Sequence, residues 1–262
     1  MTSDVVTTRE GQVAVVTLNR PDAMNAIDTG MRRSLLGALD ELARSTEIRS
    51  VVLTGAGKAF CSGADLKSAA ANPDTSMRRT ARTLLHDFQP IVETLSRMDK
   101  PIIAAINGAA VGVGMSLALS CDLLVMAESA YLMSPFVGIG LIPDGGLSWF
   151  LTRRIGYNRT FEILAESQKL GAARCLELGI ANRCVATDTL LSSTVTWAAE
   201  LAERAPIALA LTKRAARLSM TTGLSDALSL EAELQTLCAS TEDSREAIAA
   251  FRDKRKPSFQ GR

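Results

Sequence analysis

The chain has 262 residues, 47% hydrophobic and 22% charged, with a formal net charge of +1. That composition fits a soluble protein with a substantial core and supplies no long-range field for nucleic acid or an anionic membrane. A single histidine excludes a multi-histidine metal site, and the five scattered cysteines make no short paired motif for zinc.

MTSDVVTTRE has no apolar leader segment, which with the cysteine usage points to a reduced, cytoplasmic compartment. VAVVTL, Val13 to Leu18, has the length and β-branching of a strand, and the turn-rich RPDAMNAI follows it. Met31, Leu35, Leu39 and Leu42 then recur at helical spacing. SVVLTG, Ser50 to Gly55, reads as a second buried strand. Leu66 to Gln89 offers few strong apolar anchors and reads as a mobile excursion.

Pro101 to Cys121 is 21 residues without a formal charge, long enough to span a bilayer. Asn107 and the glycines interrupt it, and Asp122 closes it. A buried strand at Ile102–Ile106, a glycine-rich turn and a helix after Gly112 explain it better. Leu123–Ala127 and a short stretch near Tyr131 are the next strands. Helix follows over Leu147–Ile155 and Arg159–Ala165, broken at Gly156. KLGAARCLELGIANRCV gives a helix ended by Gly179 and a short strand. Beyond Leu190 the pattern is helical, with a break at Pro206 and a capped, basic-ended last helix in TEDSREAIAAFRDKRKPSF. Strands alternating with helices indicate an α/β fold of sheets covered by helices. Neither GxGxxG nor GxxxxGK[ST] occurs, so dinucleotide and nucleoside-triphosphate sites lack motif support.

Two glycine-rich strand exits stand out, GKAFCSGADLK at Gly57 to Lys67 and NGAAVGVGMSL at Asn107 to Leu117. Small residues there let backbone N–H groups approach a ligand and stabilise a developing oxyanion, and a helix starting near Gly112 aims its positive end at the same point.

RPDAMNAI, GKAFCSGADLK, KPIIAAINGAAVGVGMSLALSCDL and GIGLIPDGGLSWFLTRRIG, in this order, resemble the enoyl-CoA hydratase/isomerase, or crotonase, family. The resemblance runs from the first strand to FRDKRKPSF. It implies a crotonase-like spiral of β-β-α units over residues 1–195 and a C-terminal helical trimerisation region over 196–262. The implied assembly is a homotrimer or a dimer of trimers, and the implied substrate an acyl thioester of coenzyme A, with no prosthetic group and no metal. The thioester oxygen would sit between the N–H groups of Ala64 and Val113. Position 113 is usually glycine in the family, and valine keeps the N–H while filling space beside it. By the same resemblance Ala23, Asn25, Ala26, Asp65, Leu66 and Lys67 surround the CoA moiety, and Phe251 and Lys254 contact it, sometimes from a neighbouring subunit.

Typical hydratases of the family hold a pair of glutamates that activate water. Those positions are Ser116 and Phe136 here, and neither side chain is a proton carrier at neutral pH. Asp144, in IPDGG, matches a position where some family isomerases and an aromatic acyl-CoA dehalogenase carry an acting aspartate. It is equally placed to cap a helix beginning near Gly145. The resulting expectation is an enoyl-CoA double-bond isomerase using Asp144, with Ser116, Phe136 and Trp149 in the substrate pocket. The alternatives are an atypical hydratase or a catalytically weak acyl-CoA binder. His86 reads as a surface helix residue, and Cys61 lacks a histidine partner. The basic runs at Arg78–Arg82 and Lys254–Lys256 suit solvent or the CoA phosphates.

Overall fold

The computed structural model describes residues 3–65 and 81–262. Leu66, Lys67, Arg78 and most of the expected excursion lie outside the described residues. The described part of that excursion is not extended chain. From residue 81 it is helical, with a π turn at Leu84–Phe88 that buries Phe88 and continues into the next helix.

The chain begins with β1 (Val5–Glu10), paired antiparallel with β2 (Val13–Leu18). The sequence pattern showed only β2. β1 is an edge strand that buries Val5 alone, so it carries no apolar alternation to read. Helix α1 (Thr29–Arg44) follows, buries Met31, Leu35, Leu39 and Leu42, and starts at Asp28, whose carboxylate accepts the Met31 N–H at 2.8 Å.

A unit then repeats three times: one strand in a larger sheet, a tight exit, a short strand in a smaller sheet, then a helix. β3 (Ser50–Gly55) and β4 (Ala59–Cys61) lead to α2 (Gln89–Arg97). β5 (Ile102–Ile106) and β6 (Ala109–Val111) lead to α3 (Val113–Ser120). β7 (Leu123–Ala127) and β8 (Tyr131–Met133) lead to α4 (Leu147–Ala165), kinked at Gly156 as the sequence break suggested. β9 (Lys169–Gly171), α5 (Ala172–Glu177) and β10 (Arg183–Val185) complete the sheets. The larger sheet runs β1-β2-β3-β5-β7-β10 and the smaller β4-β6-β8-β9. Successive units are thus neighbours in both sheets, which makes a spiral. Pairing is parallel from β2 to β10. Parallel strands are covered on both faces, which is why β5 reads as an unbroken apolar run, β3 has Val51, Val52 and Leu53 in succession, and both are buried throughout.

The exits are stitched by Asn107. Its Oδ1 accepts the Gly55 N–H at 3.3 Å, and its Nδ2 donates to Gly57 O at 3.0 Å and Ala59 O at 3.2 Å. The run Pro101–Cys121 is therefore β5, β6 and α3. No helix among the described residues is long and apolar enough to cross a membrane.

Helix α6 (Leu190–Ala202) packs on β2, β3, β5 and β7 through Leu190, Thr194, Ala198 and Ala202. The division expected at residue 195 falls inside this helix, whose buried face runs across it, so the core extends to Ala202. Beyond it come α7 (Pro206–Leu218), α8 (Leu224–Ala239) and α9 (Glu242–Arg252), the last capped by Thr241. Asp122 docks α7 on the core, with Lys213 Nζ at 2.7 Å and Arg217 Nη2 at 2.8 Å.

Candidate active site

The two glycine-rich exits meet. Ile27 N–H donates to Gly63 O at 2.8 Å and Asp65 N–H to Ile27 O at 3.1 Å, so Ile27 and Ala64 form an isolated parallel bridge. In that pattern the residues flanking Ala64 make the bonds, and the Ala64 N–H points away from Ile27. Val113 opens α3, so its N–H has no carbonyl one turn back. A Cβ placed on Gly63 would lie 3.0 Å from Val111 O and 3.9 Å from Val113 N. One placed on Gly114 would lie 2.2 Å from Cys61 O, so only glycine lets α3 start this close to β4.

The third unit closes the site. The Phe136 side chain is buried, and a Cβ on Gly112 would lie 3.6 Å from its Cζ. Ser116 is fully buried one turn into α3, and its hydroxyl lies 2.9 Å from Asp144 O and 3.4 Å from Gly112 O. It donates to the first of these and so ties the IPDGG loop to the helix that begins at Val113. Asp144 does not cap α4: the N-cap is Gly146, and no side chain bonds the first turn. Its Oδ1 is enclosed and meets no hydrogen-bond partner among the described residues. Burial pushes the carboxyl pKa up to about 6.

Asp144 forms part of the wall of a cavity of about 840 Å³ that runs between α2, the start of α4 and α7. Leu84, Val92, Met98 and Phe150 make much of the rest apolar. Trp149 stands in the same wall, edge-on to Phe150 with ring centroids 5.0 Å apart. Ala64, Val113 and Phe136 are not among the residues lining this cavity. Phe136 reaches the start of α3 at Gly112, and Ser116 joins that turn to the Asp144 backbone.

The sequence model for enoyl-CoA hydratase/isomerase matches residues 8–262. The chain is 38% identical to a Rhodobacter capsulatus protein named "Probable enoyl-CoA hydratase", over 95% of each chain. It is 34% identical to the 1,2-epoxyphenylacetyl-CoA isomerase of Escherichia coli K12, over 97% of each. The crystal structure of an enoyl-CoA hydratase from Polaromonas sp. JS666 superposes with a TM-score of 0.93 at 34% identity, covering 97% of this chain and 99% of that one.

The chain belongs to the enoyl-CoA hydratase/isomerase family. The spiral of β-β-α units with a C-terminal helical region is the crotonase fold, and the chain is an acyl-CoA-processing enzyme of that family.

The residues that the family resemblance assigned to CoA divide in two. Ala23, Asn25, Ala26 and Asp65 gather beside Ala64, but not all are free to face a ligand. Asn25 is fully buried at a left-handed φ of 56°. Its Nδ2 donates to Ala56 O and Ala59 O, at 2.9 and 2.7 Å, and its Oδ1 accepts the Arg20 N–H at 2.9 Å. That side chain holds the loop together and leaves nothing to offer a cofactor. Arg20, not singled out in the sequence, braces the same loop through Ala26 O at 2.6 Å, Asp65 Oδ2 at 3.0 Å and Asp28 Oδ2 at 3.1 Å. Its only signal was its place at the head of RPDAMNAI.

Phe251 is 87% exposed at the end of α9, and Lys254 follows it with a left-handed φ of 54°. No described contact brings either to the strand exits. The tail after them docks at the entry of β3, where Arg49 Nη1 donates to Phe259 O at 2.9 Å. His86 is exposed. Cys61 is buried, and burial pushes its thiol up to about 12, so it is no nucleophile. No group of three or more metal-ligating side chains is gathered among the described residues.

Proposed function

We propose that this enzyme shifts the double bond of an enoyl-CoA thioester, with Asp144 as the proton carrier and the N–H groups of Ala64 and Val113 as the oxyanion hole. The observation that carries the reading is the part-buried Asp144 carboxyl on the cavity wall, its Oδ1 enclosed without a hydrogen-bond partner among the described residues, in a chain that has Ser116 and Phe136 where a hydratase of this family holds its water-activating pair. Two N–H donors aimed at the thioester oxygen stabilise the enolate formed when a proton leaves the acyl chain. The Asp144 carboxylate takes that proton at one carbon and returns it at another, so no water is consumed. Phe136 packs an apolar ring against the turn at Gly112 that precedes Val113, and Ser116 acts through the Asp144 backbone rather than on substrate. CoA is the carrier portion of the substrate, held near Ala23, Ala26 and Asp65; Leu66, Lys67, Phe251 and Lys254 are further proposed contacts.

The E. coli relative, named as an isomerase of an epoxide of phenylacetyl-CoA, supports isomerisation over hydration, though not the double-bond shift itself. The R. capsulatus relative favours a second one, hydration by an atypical mechanism. Incubation of 2-enoyl- and 3-enoyl-CoA in heavy water separates the two by mass. Isomerisation with deuterium entering the acyl chain, abolished in Asp144→Asn, is the expected result. Addition of water at an undiminished rate in Asp144→Asn would exclude it.

We also infer a trimer or dimer of trimers. Helix α8 buries only Leu234, and Leu224, Leu228 and Leu237 on it are exposed in the single chain, as are Ile248 and Phe251 on α9.

A further inference from the structure

A second cavity, about 410 Å³, adjoins the one that holds Asp144, and the two share Trp149, Phe150, Lys213 and Arg217. Its charge is one-sided. Arg153, Arg154, Lys213 and Arg217 line it against a single carboxylate, Asp122. Both Asp122 oxygens are already engaged, Oδ2 by Lys213 and the Ile102 N–H and Oδ1 by Arg217. Arg154 donates only to backbone, Leu119 O at 2.7 Å and Cys121 O at 3.2 Å. Arg153 lies over the Trp149 ring, 4.0 Å from its centroid, with no carboxylate in ion-pair range among the described residues.

Four cations around one acid is costly where water is partly excluded. Burial lowers the pKa of Arg154 to about 10 and lowers that of Lys213. The other charged groups of the first cavity come closer to balance: Arg97 lies 3.9 Å from Glu93, and Arg214 and Asp99 complete the set. The excess positive charge therefore sits at the end beyond Trp149 and Phe150. An apolar stretch formed by Leu84, Val92 and Met98 belongs to the same first cavity.

We propose that the second cavity is a subsite for a carboxylate at the far end of the acyl group, so that the preferred substrates are CoA thioesters of dicarboxylic acids. This rests on the first cavity being the acyl site. The methylenes lie against its apolar wall, and the terminal carboxylate meets the guanidinium groups of Arg217, Arg154 and Arg153, a geometry arginine suits.

Hexanoyl-CoA and adipoyl-CoA differ only in ending in a methyl or a carboxylate, and both are saturated, so their binding is independent of proton transfer by Asp144. Calorimetric titration of the intact enzyme should give adipoyl-CoA at least a tenfold lower Kd, with the advantage shrinking as salt is added. Arg217→Gln leaves Lys213 to pair Asp122 and should bring the ratio of the two Kd values to within about twofold of unity. Arg153→Gln, at the exposed rim, should lower the ratio in the same direction and serves if the first variant does not fold. Equal binding of the two thioesters to the wild type, or an unchanged ratio in a folded variant, overturns the proposal. If neither thioester binds, the acyl-site reading falls with it. Loss or survival of deuterium exchange in Asp144→Asn bears on the isomerase reading alone.

Discussion

Asp144 is held where two demands meet. Its carboxyl is buried enough to favour the proton, yet it lies on a cavity wall where a base is useful near neutral pH. With a pKa of about 6 and the proposed role as base, Asp144 should make kcat/KM rise as pH passes through that value and then level, because that role needs the carboxylate in the free enzyme. Asp144→Asn should lower turnover by about a hundred- to ten-thousandfold, read from isomerisation rates. The same shift has a stability side. An unfolded aspartate titrates near about 3.9, so the native state binds the proton more tightly. The stability due to the protonated form is complete below the unfolded value and lost as pH rises through the folded one. Asp144→Asn never ionises, so its Tm relative to wild type should climb between about pH 4 and pH 7. A constant difference across that range would mean the native carboxyl is not shifted. Ser116 adds a constraint: a Cβ on Gly145 would lie 2.9 Å from the Ser116 Cβ. Ser116 packs against the backbone of the loop that carries Asp144, so a longer side chain at 116 presses on that loop, and Ser116→Glu should not create a hydratase.

At the scale of elements, the site depends on how closely α3 approaches β4. A Cβ on Gly114 would collide with backbone, Cys61 O at 2.2 Å, and backbone cannot rotate aside. Gly114→Ala should therefore destabilise the fold by more than about 3 kcal/mol and weaken acyl-CoA binding together with it, measured by denaturant titration and calorimetry. This is also where the sequence stops being legible. Long strands such as β3 and β5, and the heptad-like face of α1, show their burial in their periodicity. The three-residue strands β4 and β6 are too short for any period, although with β8, which the sequence did suggest near Tyr131, and β9 they form the smaller sheet. The glycines signalled close approach but not what approached. Asn25 illustrates the limit: a motif places it next to the ligand loop, and only its three hydrogen bonds show it facing inward. The Ser116–Asp144 tie joins residues 28 apart in sequence and has no local pattern.

For the molecule as a whole, the junction of core and C-terminal helices rests on Asp122, which meets Lys213 and Arg217 and also accepts the Ile102 N–H at 2.9 Å. Asp122→Ala leaves two part-buried cations and a strand N–H without their acceptor. It should cost about 3–5 kcal/mol, with proteolysis appearing first within α7 as that helix undocks. Sedimentation should find trimers or hexamers, and replacing Leu224 and Leu228 by glutamate should shift the distribution to monomer. A further consequence follows from the spiral. Ala64 leaves the first unit, Val113 the second and Asp144 the third, so each turn contributes one piece of the proposed site. A ribosome making this chain presents the first N–H, then the second, and the carboxylate last. A nascent chain cut before residue 144 holds the strands of two turns and lacks the proposed proton carrier. Acquisition of acyl-CoA turnover is then a clock for the closing of the third turn, and stalled chains of increasing length would show binding before they show exchange.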